Sequence, residues 1–548
     1  MRRHILLMLG LMSVLGAPAL AGTFVPAPLA PDFGLDALTK SVAREQLGRD
    51  LFADPWAAVT LSHVDVYDRF PYVESRHFLI VSDPAWNRLV VGEAGHSLSA
   101  FDGSGTAFGA LHSPYGLAVD DQDRVYVADA GNQRVLVLQA STEFDRVTLT
   151  PVYSIDGLSD PHGVAWSDGG TPFAPDDDVL FVTDTGRNRV AAFAVGAHSA
   201  RVLSALGGLG SGPGHFAGPL AVTVGRETGA STGDVYVADS HTRRLVHLRY
   251  ASGQLTWTGD RPSGADAITS LASDEWGNLY AAAPQQGVVL KWNARLEPVA
   301  ELREGTSHPR SLHVPFFTIR DHRDGRTVRT GQPAALVLEP WGESSGLRRW
   351  NLGVSVEGLA VSGTDAPHAS FTLTDRAAVA FELREGAGGR VLARRDVGTF
   401  DAGHVDVALT SADLALAPRD AEVALAVVAK PGYADGAEAR AQTTFRSSGQ
   451  GVQPPASPSV LPAWPNPTRD ETNLRFALPA GAEGSASLSV HDAGGRRIRS
   501  FRGPFTAGVN EVHWDGRDDA GHAVRSGLYF YRLHAAGLKL SRRLVVVR

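Results

Sequence analysis

The sequence predicts an all-β chain: a β-propeller over residues 60–357, then two smaller β-sandwiches over 358–447 and 463–548. Three observations predict it. A strand-turn-strand unit recurs through the first half, with anchor aspartates 46, 55 and 55 residues apart. Short alternating strands separated by Gly-rich turns fill the second half. Helical periodicity is confined to one stretch, where Leu35, Leu38, Val42, Leu47 and Leu51 fall on one face over 35–52.

Length and composition bound the reading. At roughly 100–200 residues per domain, 548 residues ask for three or four domains. Hydrophobic residues make up 43% and charged residues 20%, ordinary for folded chains. Lys and Arg total 51 against 59 Asp and Glu, a net charge of −8. That balance argues against nucleic acid as a partner, since phosphate binding needs a basic face. Cysteine is absent, which removes disulfides, thiolate metal sites and Cys nucleophiles together.

Residues 1–21, MRRHILLMLGLMSVLGAPALA, read as an export signal. Arg2 and Arg3 open it, an apolar run follows from Ile5 to Ala17, and Ala19-Leu20-Ala21 supplies small residues for cleavage. The apolar run is too short for a bilayer core of about 30 Å, and no later stretch is long enough to span one. The expectation is an exported chain beginning near Gly22, extracellular or at the cell surface, with the periplasm as the alternative. Residues 22–59 then form an N-terminal extension whose short helix docks on the propeller.

The repeat units show common local physics. PYGLAVDDQDRVYVADAGNQRVLVL (114–138) is the clearest copy. An apolar strand, a polar turn, the β-rich Val125-Tyr126-Val127-Ala128, a turn at Asp129-Ala130-Gly131-Asn132 and a third strand follow one another. Gly131 and Asn132 offer the positive φ such a turn uses. Further copies lie at 161–193, 218–248 and 267–292, with an earlier one at 77–91. One such sheet cannot bury both its faces, so copies must stack, and a closed stack is a propeller. Strand residues near 60–80 are expected to complete the last blade and clasp the ring.

The Pro-x-Gly-[Leu/Val]-Ala opening, the [Tyr/Phe]-Val-[Ala/Thr]-Asp strand and the Asp-to-Arg turn resemble NHL repeats. Five units are counted this way, and 307–357 supplies a sixth, with Glu339 where the others carry Asp. The resemblance implies six blades. Residues 358–447 are expected to form an immunoglobulin-like sandwich from strands such as 369–375, 377–385, 404–410 and 421–430. Residues 448–462 read as a Pro/Ser/Gly linker. Residues 463–548 contain Pro465-Asn466-Pro467, Trp514-Asp515-Gly516 and Gly527-Leu528-Tyr529-Phe530-Tyr531. This segment resembles the FlgD-like immunoglobulin fold and the related sorting domains of type IX secretion. The resemblance implies an address read by an outer-membrane secretion machine.

Chemistry is sparser. The pairs Asp83 and Arg88, Asp129 and Arg134, Asp184 and Arg189, and Asp239 and Arg244 recur in four units, which marks them as a blade-building device rather than a site. Ala283 and Val288 stand in their place in the next unit. Positions just ahead of the inner strands should line one end of the channel: Tyr115, His162, Gly218, Thr269 and Arg310. One His among them does not make a three-His zinc site. Asp176-Asp177-Asp178 reads as a solvated hairpin tip, and no calcium loop, nucleophile elbow or phosphate loop is found. No catalytic residue and no cofactor are therefore expected. The reading is a non-catalytic recognition or scaffold protein whose ligand, a protein or a glycan, meets Tyr115, His162 and Arg310. The alternative is a hydrolase or lyase with a calcium or zinc ion in the channel.

Overall fold

The structure is a computed structural model. It describes residues 52–547 apart from short internal stretches, the longest being 448–456, together with 24–26 and 45–47. The segment read as an export signal, most of the helix expected over 35–52 and most of the expected 448–462 linker lie outside the described residues. Within that helix, 45–47 form a helical turn. There the Gln46 Oε1 accepts the Leu98 N–H at 2.5 Å and Leu47 packs beside Val90.

Nearly every described element is a strand. Among the described residues, six sheets, antiparallel but for one strand pair, occupy the first two-thirds of the chain. Sheet 2 is typical: Pro114–Val119, Arg124–Asp129, Arg134–Glu143 and Arg146–Ile155 pair in sequence order. Sheets 3, 4 and 5 repeat this order from Pro161, Pro219 and Ser270. The first strands of the six sheets touch one another in cyclic order, from Ala58–Tyr67 of sheet 1 round to Ser311–His313 of sheet 6 and back to Ala58–Tyr67. The sheets therefore close around a hollow axis.

Side-chain alternation explains the closure. In Arg124–Asp129, Val125 and Val127 pack with Ile80 and Leu89 of sheet 1, while Tyr126 and Ala128 pack with Val164 and Leu180 of sheet 3. A period of two thus makes each middle strand apolar on both faces. Separate apolar clusters join sheets 3 and 4, 4 and 5, 5 and 6, and 6 and 1. Each fully buried Val or Leu contributes on the order of 1.5–3 kcal/mol, so the ring is held mainly by these seams.

The clasp differs from the expectation. Ala58–Tyr67 and Tyr72–Asp83 are the first two strands of sheet 1 rather than the end of the last blade. Sheet 6, built from Ser311–His313, Ala334–Glu339 and Gly346–Leu352, takes its outer strand from Phe24–Pro26 at the other end of the chain. Sheet 6 also carries an insertion the repeat pattern did not reveal. The hairpin Phe316–Asp321 and Arg326–Gly331 leaves it and joins sheet 1 through parallel pairing of His63 with Thr318.

The turn chemistry is also corrected. In four sheets the Asp is followed by a single 3₁₀ turn, and the left-handed residue is the one after it: Asn87, Gln133, Asn188 and Arg243, with φ of 50–56°. Asn132 instead donates to the Asp129 carboxylate and to the Ala110 carbonyl, both at 2.8 Å. Asn87 and Asn188 use their side chains to accept the N–H of Ser113 and Gly218 at the next sheet. The turn is thereby tied across the seam.

Beyond the ring, Val356–Ser362, His368–Leu373 and Gly403–Ala408 face a second sheet of Val391–Phe400, Ala377–Arg384, Glu422–Pro431 and Ala439–Arg446. A second sandwich follows between Ser459 and Val546, around Trp514, Phe476 and Tyr531. No helix among the described residues is long and apolar enough to cross a membrane.

Candidate functional site

The Pro-x-Gly openings at 114–116 and 161–163 place the site. The pairing register shifts between Pro114 and Leu117, and again between Pro161 and Val164. Such a bulge re-aims the side chain it contains. The glycine is required by crowding: a Cβ on Gly116 would lie 2.3 Å from the His162 carbonyl oxygen, and one on Gly163 would lie 2.7 Å from that of Leu220. Hydroxyls fasten neighbouring strands at this level. Ser82 Oγ donates to the Tyr115 carbonyl at 2.6 Å, Thr183 Oγ1 to that of Leu220 at 3.1 Å, and Thr269 Oγ1 to that of Arg310 at 2.6 Å.

Tyr115 and His162 consequently meet. Their rings stack at 4.2 Å with an interplanar angle of 12°. Trp56 sets its edge against both, at 4.8 and 5.9 Å. The Arg310 guanidinium lies over the Trp56 ring at 4.7 Å, with Asp54 3.4 Å from its Nη2. His162 Nε2 is 3.3 Å from Asp160. All three residues expected at the channel mouth thus belong to one cluster, joined through Trp56. Gly218 and Thr269 lend no ring to it. Trp56, Asp54 and Asp160 were not found by sequence reasoning. Trp56 follows Pro55 ahead of its strand, as Tyr115 follows Pro114, and that proline was the available signal.

Electrostatics at this mouth are balanced. The hydrogen bond to His162 holds the Asp160 carboxyl below its ordinary value. Burial, then Asp160 and Asp54, push the Tyr115 phenol up. Burial draws the Arg310 guanidinium down, against Asp54 and Tyr115. Behind the mouth the channel is lined by small residues such as Ser62, Gly163, Thr223 and Ser311, and encloses about 170 Å³. Pockets for whole small-molecule ligands run to roughly 300–1,000 Å³. This channel admits a group no larger than a side chain.

The opposite end is built differently. Arg124, 2% exposed, donates to Asp120 at 2.5 Å, to Asp178 at 3.1 Å and to the Gly196 carbonyl at 2.5 Å. Asp178 is thereby corrected from a solvated tip to a buried tie between sheets 2 and 3, while Asp176 and Asp177 are exposed. Burial, then Asp121 and Asp120, push the Asp178 carboxyl up to about 7. Phe316 of the inserted hairpin closes on Arg226, whose guanidinium is 4.7 Å from the ring.

The repeated pairs have blade-building geometry. Asp83, Asp129, Asp184 and Asp239 are fully buried and meet their arginines at 3.4, 2.7, 2.8 and 3.0 Å. Each also accepts backbone N–H groups from the segment leading into its sheet, from Ala53, His112, Ser159 and Ala217. Among the described residues, no three His, Asp or Glu side chains converge as metal ligands would.

Comparison with known proteins places these features. Residues 111–138 match the NHL repeat family model and residues 466–538 match that of the FlgD Ig-like domain. The chain is thus an all-β protein with an NHL-repeat propeller fold and a C-terminal FlgD-type immunoglobulin-like domain. No curated protein matches it in sequence. Similar solved structures include virginiamycin B lyase from Staphylococcus aureus, at 10% identity and TM-score 0.32, covering 58% of this chain and 92% of that one. A putative gluconolactonase is 13% identical, with a TM-score of 0.36 and coverage of 60% and 97%. A luciferin-regenerating enzyme is 12% identical, with a TM-score of 0.33 and coverage of 55% and 92%. At such scores no chemistry is carried over from them.

Proposed function

We propose that the protein is an exported, non-catalytic recognition protein that grips a polypeptide partner at the mouth formed by Trp56, Tyr115, His162 and Arg310. The carrying observation is that cluster itself: two stacked rings, an edge-on indole and a guanidinium, contributed by four different sheets. Trp, Tyr and Arg are the side chains that dominate binding energy at protein interfaces. The 170 Å³ behind them suits one inserted side chain. A channel-metal hydrolase would need several free ligating groups here. The mouth has one His and two carboxylates, and these carboxylates already face His162 and Arg310.

Peptides selected on the full chain from a random library test this. The combined Tyr115→Ala, His162→Ala, Arg310→Ala variant is expected to lose at least about a hundredfold in affinity, since each such residue contributes about 2 kcal/mol or more. Its thermal unfolding should stay close to the parent's. Selected peptides that bind the variant as tightly as the parent would remove the assignment. Metal analysis before and after EDTA separates the alternative, because a stoichiometric removable ion favours the enzyme.

The second half of the proposal is that residues 463–548 address the protein to an outer-membrane secretion machine. The support is the FlgD-type match and the exposed position of Arg496, Arg497 and Arg525 on that sandwich. Deleting 463–548 should leave the protein in the cell envelope rather than the medium. Undiminished secretion of the truncated chain would overturn the address.

A further inference from the structure

A second concavity lies away from the channel, between sheets 3 and 4. It encloses about 740 Å³, within the range for small-molecule sites and several times the channel. Its floor holds an unsatisfied group. Ser231 is 7% exposed and lines the cleft, and its Oγ has no hydrogen-bond partner although its N–H is held by Asp168 at 2.9 Å. A buried hydroxyl left unpaired is costly, and a bound polar group would relieve that cost.

The wall beside it is aromatic. Tyr250 stands in the cleft with its ring braced edge-on against Phe181 at 5.3 Å. Its hydroxyl has no hydrogen bond among the described residues. The charges around it are largely committed. Arg249 is tied to Asp234 at 3.0 Å, Asp178 to Arg124 at 3.1 Å, and Asp177 accepts the Thr171 hydroxyl at 2.7 Å. Arg201, Asp176 and Asp177, all exposed, are left without an opposite charge of their own among the described residues, since the Thr171 hydroxyl does not neutralise Asp177. The cleft therefore sets one cation and two carboxylates, donor and acceptors, around a single ring.

We infer that this cleft binds a neutral saccharide, with a sugar face on Tyr250 and its hydroxyls on Ser231, Arg201 and Asp176. An anion would meet Asp176 and Asp177, and a cation would meet Arg201. A purely apolar one would leave Ser231, Arg201 and Asp176 desolvated and unpaired. A polyol with a flat apolar face satisfies all four groups at once. The site is distinct from the channel mouth and does not depend on the peptide reading of it.

The test uses the full chain and a panel of methyl hexosides and neutral hexose disaccharides, read by saturation-transfer NMR and by thermal shift. At least one member is expected to bind saturably. Tyr250→Ala and Arg201→Ala should each weaken it by about tenfold or more, the scale of one lost stacking or charged hydrogen-bond contact. The Tyr115→Ala, His162→Ala, Arg310→Ala variant should bind as the parent does. No binding across the panel at tens of millimolar overturns the inference. So does binding that survives both cleft substitutions, or that is lost instead in the channel-mouth variant.

Discussion

Replacing Lys291 by methionine is expected to destabilise the protein by about 3–5 kcal/mol, the cost of stranding a buried charge. Lys291 is 1% exposed, and its Nζ lies 2.9 Å from Asp375 across the junction between sheet 5 and the first sandwich. Asn278 Nδ2 donates to Asp375 at 3.1 Å and to Asp274 at 2.8 Å, and Tyr280 Oη donates to Asp274 at 2.8 Å. The ammonium also sits 4.9 Å from the Tyr280 ring. Without it, two buried carboxylates share one amide. Burial first, then Asp375, raise the Asp274 carboxyl to about 6, and Lys291 opposes that rise. A carboxyl raised in the folded state takes up protons on folding, so its contribution is fullest below the unfolded value and is lost as pH rises toward 6. The Lys291→Met loss should therefore be larger at pH 8 than at pH 5, in denaturant titrations followed by fluorescence. Pairing it with Asp375→Leu should recover part of the loss, because the only buried carboxyl then left is Asp274, which keeps its Asn278 and Tyr280 donors. A loss independent of pH, or none, would contradict the network.

Trp514→Ala is the second large effect expected, about 3–5 kcal/mol from the cavity left by a fully buried indole. Trp514 ends the strand Gly508–Trp514, and its Nε1 donates to the Arg517 carbonyl at 2.8 Å. Its ring meets Tyr529 edge-on at 6.0 Å, inside the cluster with Phe476, Leu488 and Tyr531. Calorimetry of the full chain should show the C-terminal sandwich melting far earlier while the propeller transition stays in place, as separate domains permit. A uniform shift of every transition would mean that the sandwich does not unfold on its own.

How much of this was legible follows from distance along the chain. Strand, turn and strand in Arg124–Asp129 and Arg134–Glu143 are written in alternating β-branched residues and a local Asp-to-Arg pair five residues apart. The Pro-x-Gly frame marked Tyr115 and His162, and the matching place ahead of a later inner strand marked Arg310, because repeats map equal positions to equal places. Trp56 escaped, since the first repeat copy was read only from residue 77, and Asp178 was misjudged because three adjacent aspartates look solvated. Its partner Arg124 lies 54 residues away, and nothing local pairs them. The inserted hairpin at 316–331 was invisible for a related reason. Its strands resemble any others, and its parallel pairing with Ala58–Tyr67 joins residues some 250 apart.

Sequence alone determined the β class, the repeat, the Asp-to-Arg pairing within it and the kinship of the C-terminal sandwich. Each is encoded by periods and spacings within a few dozen residues, where backbone geometry leaves few choices. Tertiary structure alone decided that Phe24–Pro26 closes sheet 6, that Trp56 completes the mouth, and that one of the four lysines is buried against Asp375. Those contacts bring together groups whose separation in sequence carries no pattern. They are selected by which buried polar atoms and apolar faces remain to be satisfied once the ring has formed.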